Sequence, residues 1–160
     1  GYGREVLGDA LEATFEVMGT QFDIDLSEGC QDDHLEPGAA ICGSAIPLTK
    51  PSGGFYLLMV GNARSCQNLT RTLFMMEDEE EVEKEDMADA LGEIVNIVAG
   101  ALKTKRGEAG EDLQLGLPLF VTGSDCLQVF AQGLYGVSQI VSGEDDLSLQ
   151  IILICEGSQG

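Results

Sequence analysis

The chain has 160 residues, long enough for one domain (residues 1–160) that buries a core without disulfide staples. Its 28 acidic residues against 8 basic ones leave a net charge of −20, which excludes a nucleic-acid partner for want of any basic patch and disfavours anionic membrane surfaces. No secretory leader and no apolar run of about 18 residues that could span a membrane is present.

Five cysteines, none spaced C-x-x-C, and a single histidine are poor material for a zinc site. Cys42 and Cys155 lie in apolar runs and read as small buried hydrophobes, and reduced thiols suit a cytoplasmic protein. From Arg4 to about Gln21 the apolar residues Val6, Leu7, Ala10, Leu11, Val17 and Met18 recur at helical spacing. Thr20 to Leu26 alternates and predicts a short strand, and Ser27 to Pro37 is a polar loop holding His34, read as an exposed loop residue. Ala39–Leu48 and Phe55–Val60 flank the turn chemistry of Thr49–Gly54 and predict a hairpin. Asn62 is placed to cap a helix from Ala63 to about Met76. Glu77–Asp86 carries eight acids in ten residues, a solvated linker leading into the next helix.

That next helix, from about Val82 to Lys105, organises the chain. Its acidic start and the basic Lys103, Lys105 and Arg106 at its end match the macrodipole, and Gly107 is a natural stop. At roughly 100° per residue, Met87, Leu91, Ile94, Val95, Val98 and Leu102 form one apolar stripe, and Asp89, Glu93, Asn96 and Gly100 fall opposite. Beyond it, Glu111 to Val121 has leucines at period two with Pro118 marking an edge or interruption. Cys126–Phe130 predicts a short strand. Tyr135–Val141 and Leu147–Cys155 predict a second hairpin, whose last strand is apolar on both faces, as in a covered strand or an interface. The whole predicts an α+β fold, long helices packed on a mainly antiparallel sheet.

The polar stripe limits the chemistry available to it. Asparagine is neither acid nor base near neutral pH, so Asn96 can only position a group by hydrogen bonding, while Glu93 can serve as base, ligand or ion-pair partner. An exposed amide that orients water suits hydrolysis of a bond activated elsewhere. Spacing alone favours an ordinary solvated helix face, because a carboxylate and an amide at i, i+3 are common neighbours.

The segment Asp89-x-x-x-Glu93-x-x-Asn96, inside Ala88–Gly100 and followed after 21 residues by Pro118, resembles the CheX/CheC/FliY family of response-regulator phosphatases, with the proline one residue early. The resemblance covers residues 4–156. It is nearest to CheX, because the first helix has no second E-x-x-N: Glu5 is followed by Gly8, Glu12 by Phe15 and Glu16 by Gly19. It implies a chemotaxis phosphatase acting on the aspartyl phosphate of a CheY-type response regulator. Asn96 would align the water and Glu93 would pair with the regulator's active-site lysine, with Asp89, Gly100 and Pro118 in support. Mg²⁺ would belong to the regulator, so the chain would need no cofactor or metal of its own. A homodimer through sheet edges is also implied, suiting the Leu147–Cys155 strand. The alternatives are a non-catalytic dimeric adaptor and a structural module of a motility or signalling assembly.

Overall fold

The computed structural model describes residues 1–29, 41–123 and 135–155. The elements run α1 (Tyr2–Gln21), β1 (Ser27–Glu28), β2 (Ile41–Lys50), β3 (Gly53–Asn62), α2 (Ala63–Leu73), α3 (Lys84–Glu108), β4 (Gln114–Leu115), β5 (Leu119–Thr122), β6 (Tyr135–Ser142) and β7 (Ser148–Cys155). The strands form one antiparallel sheet in the order β1-β6-β7-β3-β2-β4, with β5 also paired to β2. This is the expected α+β architecture. His34 and the expected Cys126–Phe130 strand lie outside the described residues.

Alternation along the central strands divides the apolar residues between two faces. Ile46 and Leu48, Leu57 and Met59, and Leu149, Ile151 and Leu153 pack with Val6, Ala10 and Val17 of α1 and with Leu91, Ile94, Val98 and Leu102 of α3. The opposite face holds a smaller cluster, Ala45, Leu58, Val60, Ile152 and Ile154. β7 is buried in both clusters, Leu149, Ile151 and Leu153 in the first and Ile152 and Ile154 in the second, and it is no sheet edge, because it lies between β3 and β6. The dimer edge expected at Leu147–Cys155 is therefore corrected. Among the described residues the sheet ends at β1 and at β4 and β5.

Other boundaries shift for local reasons. The strand expected at Thr20–Leu26 does not form. Helix α1 continues to Gln21, Phe22 and Ile24 bond back to the Met18 carbonyl at 3.3 and 2.9 Å, and Asp23 takes a positive φ. Phe22, Ile24 and Leu26 still pack on the core, so the alternation records burial without a neighbouring strand. Helix α2 ends at Leu73, because Met75 adopts φ 55° and Met76 N–H bonds to the Arg71 carbonyl at 2.8 Å. Asn62 caps α2 as expected, its Oδ1 accepting from Ser65 N–H at 2.8 Å. Gly107 does not stop α3. The helix runs to Glu108, Gly110 takes the left-handed position at φ 92°, and Glu111 N–H closes the turn on the Arg106 carbonyl at 2.9 Å. The expected Glu111–Val121 strand is split into β4 and β5 by Gly116-Leu117-Pro118.

Arg106 does more than complement a dipole. It is 4% exposed and meets Asp9 at 2.9 Å and Glu5 at 3.4 Å on α1, and Glu111 at 2.5 Å. Glu111 in turn accepts from the Tyr2 hydroxyl at 2.7 Å and pairs with Lys50 of β2. One guanidinium therefore ties α1, the end of α3 and β2 together. Burial alone would raise the Glu111 carboxyl, but hydrogen bonds from Lys50, Tyr2 and Arg106 outweigh it and hold it down at about 2. Because its folded value lies below the ordinary 4.5, its stabilisation is complete above that pH and is lost as pH falls toward 2. Glu111→Gln should flatten this acid limb in urea melts taken across pH. Arg106→Ala should cost about 3 kcal/mol at neutral pH, because it empties the site of a buried side chain and takes the guanidinium from the mostly buried Glu111 carboxylate.

Candidate functional site

Helix α3 is one-sided for a simple reason: its seat on the sheet admits only the apolar stripe. Leu91, Ile94, Val95, Val98 and Leu102 are all at most 2% exposed. Met87 is half-buried against the core, and Gly92 and Ala99 complete the buried side. Asp89, Glu93 and Asn96 are exposed, in the register expected, and Gly100 is half-exposed beyond them. The helix start is ordered by Glu83, whose N–H bonds to the Asp86 carboxylate at 3.1 Å, and by acids in the first turn.

The structure brings Pro118 to this helix. An ideal Cβ on Gly92 would lie 3.5 Å from Pro118 Cβ and 4.0 Å from Ser44 Oγ. Gly92 immediately precedes Glu93, so the start of β5 rests against α3 at the base of the polar stripe. Ser44 on β2 holds that segment, its hydroxyl donating to the Leu119 carbonyl at 3.4 Å. Further along β5, Lys84 Nζ sits 5.6 Å from the centre of the Phe120 ring, joining the first turn of α3 to the same strand. Leu117 and Leu119, on either side of Pro118, are 85% and 64% exposed. Gly100 is different: nothing stands within 4 Å of the place its Cβ would take, so that end of the stripe opens to solvent.

Among the described residues, no hydrogen bond or ion pair engages the side chains of Asp89, Glu93 or Asn96. No described residue commits them, so they face solvent where another molecule could reach them. The acids about them, in a chain of net charge −20, favour a cationic group opposite Glu93. Among the described residues no three His, Cys, Asp or Glu side chains converge as a metal site would need. A polar cleft of about 750 Å³ lies elsewhere, lined by residues including Asp23, Arg64, Arg71 and Asp145. Arg71 is already engaged there by Asn68 Oδ1 at 3.0 Å and the Glu80 carbonyl at 2.9 Å.

Sequence reasoning placed the four positions of the helix stripe and named Pro118. It missed Gly92 and Ser44, the residues Pro118 rests on and beside. The one available signal was the lack of a side chain at Gly92 inside an otherwise strong helix pattern.

Helix α3 thus displays, on a helix-on-sheet fold, a carboxylate and a carboxamide one turn apart that no described residue engages. The family model for the chemotaxis phosphatase CheX matches residues 42–142, and the chain belongs to that family. Solved structures share the fold across nearly the whole chain. Chemotaxis protein CheX from Vibrio vulnificus has a TM-score of 0.68 at 16% identity, covering 94% of this chain and 95% of that one. The CheX–CheY–BeF3–Mg²⁺ complex from Borrelia burgdorferi gives 0.63 at 21% identity, with 96% of each chain covered. Thermotoga maritima FliY gives 0.67 at 13% identity, covering 95% of this chain and 87% of that one. No curated protein matches the sequence. Among the described residues no helix is long and apolar enough to cross a membrane.

Gly92 and Gly100 of α3 should respond oppositely to added bulk. Gly100→Ala meets open space and should stabilise the fold by up to about 1 kcal/mol through helix propensity. Gly92→Leu must displace Pro118 and should destabilise it by about 1–3 kcal/mol. Chemical denaturation of the two variants beside the parent protein measures both.

Proposed function

We propose that this protein accelerates hydrolysis of the aspartyl phosphate on a CheY-type response regulator, with Glu93 and Asn96 as the groups that act. The observation that carries the reading is the pair itself: a carboxylate and a carboxamide at i, i+3 on the exposed side of α3, engaged by no described residue. Glu93 docks by pairing with the regulator's active-site lysine. The Asn96 carboxamide hydrogen-bonds a water and holds it in line with the phosphorus. The water attacks phosphorus, the bond to the aspartyl oxygen breaks, and inorganic phosphate leaves with the regulator's carboxylate restored. Asparagine does no proton transfer here, and its contribution is orientation. Mg²⁺ is the regulator's and supplies charge neutralisation on the phosphoryl oxygens, so the chain brings no cofactor of its own. Asp89, one turn before Glu93, adds to the negative field that meets the lysine. Pro118, resting on Gly92, holds the β5 entry clear of the stripe, and Gly100 leaves room for the regulator's loops.

Support for the regulator as partner comes from the family, described as chemotaxis phosphatase, and from the fold shared with a CheX solved in complex with CheY. A regulator charged with a small phosphodonor provides the assay, followed as phosphate release. Asn96→Ala should lower the acceleration by about a hundredfold or more while binding persists. Glu93→Gln should weaken binding and flatten its salt dependence. Full activity in Asn96→Ala would remove the proposal. Capture of the regulator with no change in its decay would select a non-catalytic adaptor instead.

A homodimer through the sheet edge is proposed at β5 rather than at β7. Among the described residues β5 pairs on one side only, with β2, and Leu117 and Leu119 project from it. Leu119→Lys should shift the protein from dimer to monomer in sedimentation equilibrium, and an unchanged mass would exclude this edge.

A further inference from the structure

We propose that Cys42 and Cys66 are a redox-active pair, closed by hydrogen peroxide into a disulfide that joins β2 to α2. The inference stands on their placement and is independent of the proposed phosphatase reaction. Cys42 is the second residue of β2 and points to the helix side of the sheet, half-buried against the core. Cys66 is the fourth residue of α2 and is fully buried. The chain returns through the β2–β3 hairpin and the Asn62 cap, and this brings the Cys66 thiol against the start of β2 at Cys42. Cys66 donates its thiol hydrogen to the Cys42 carbonyl oxygen, Sγ to O 3.2 Å, so its sulfur lies against the main chain of Cys42.

The surroundings also assign the two roles. The hydrogen bond from Cys66 lowers the Cys42 thiol, outweighing its partial burial. The same pairing, with burial added, pushes the Cys66 thiol well up. Cys42 is thus the more acidic and the more accessible of the two, and it is the thiol an oxidant meets first. Cys155 gives an internal contrast: it is half-buried too, but burial pushes its thiol up, with no thiol partner to reverse that.

The steps balance. The Cys42 thiolate attacks one peroxide oxygen, the O–O bond breaks, and the other oxygen takes up the Cys42 proton and leaves as water. Cys42 is then a sulfenic acid. The Cys66 sulfur attacks it, the S–S bond forms, the S–O bond breaks, and the departing hydroxyl takes the Cys66 proton. Two thiols and one hydrogen peroxide become one disulfide and two waters, the sulfurs oxidised and the peroxide reduced. The bond would fasten α2 to the strand that also carries Ser44, the residue beside Gly92 under the polar stripe.

The test is a titration of the full chain with hydrogen peroxide, followed by thiol counting in denaturant and peptide mapping. Free thiols should fall from the five of the sequence to three, with one linked peptide joining Cys42 to Cys66, and a dithiol reductant should restore all five. Cys66→Ser should stop at a Cys42 sulfenic acid, captured by dimedone. Cys42→Ser should keep its remaining thiols at the same peroxide dose, and Cys42→Ala repeats this test should the serine disturb the fold. No loss of thiols in the parent protein, a link to any other cysteine, or loss of two thiols in Cys42→Ser would overturn the proposal. The parent protein's map decides the matter even if neither Cys42 variant folds.

Discussion

The burial of one side of α3 against the sheet is the constraint on which everything else depends. A helix of 25 residues with a continuous apolar stripe has one orientation in which Leu91, Ile94, Val98 and Leu102 all leave water. That orientation turns Glu93 and Asn96 outward. A rotation about the helix axis that buried either polar side chain would expose apolar area and strand a polar group in the core, and both changes cost free energy. The exposed stripe is therefore held by packing on the opposite side, although no described residue hydrogen-bonds or ion-pairs with the side chains that form it. The proposed reaction needs groups presented in this way.

The two ends of α3 are secured by different physics. The first turn is exposed and uses local means, a capping interaction between Glu83 and Asp86, acids near the dipole's positive end, and Lys84 over Phe120. The last turn is buried and uses a long-range ion cluster, in which Arg106 collects carboxylates from α1 and from the segment after α3. A buried guanidinium is tolerable only when such partners surround it. The stripe lies between a locally capped end near β5 and a deeply anchored end near α1. The thiol pair of β2 and α2 adds a third junction on the same sheet face, one that oxidation could make covalent.

Family and chemistry agree about the stripe without duplicating each other. Physical reasoning on residue types alone reduced Asn96 to orientation and left Glu93 with several roles. The proposed reaction takes one of those roles, ion pairing, and its lysine partner suits the acidic charge of the chain. The shared fold extends to a FliY protein, so architecture alone does not separate a catalyst from an assembly component. What separates them is whether the carboxamide acts on a bound phosphate.

Much of this was legible in the sequence because it depends on neighbours in the chain. The helical period placed Leu91 and Asn96 on opposite sides, alternation and turn residues marked the β2–β3 and β6–β7 hairpins, and Asn62 declared its cap. The stops of α2 and α3 were misplaced because left-handed positions at Met75 and Gly110, not Gly107, ended those helices. Tertiary structure alone decided the contacts between distant segments. Pro118 reaches Gly92 only once β5 has paired with β2, Arg106 finds Asp9 only once α1 has docked, and β7 proves central only once β6 and β3 flank it. Periodicity states which side of an element seeks burial. It does not state which distant element will cover it, because that choice is made by the packing of the whole sheet and its helices together.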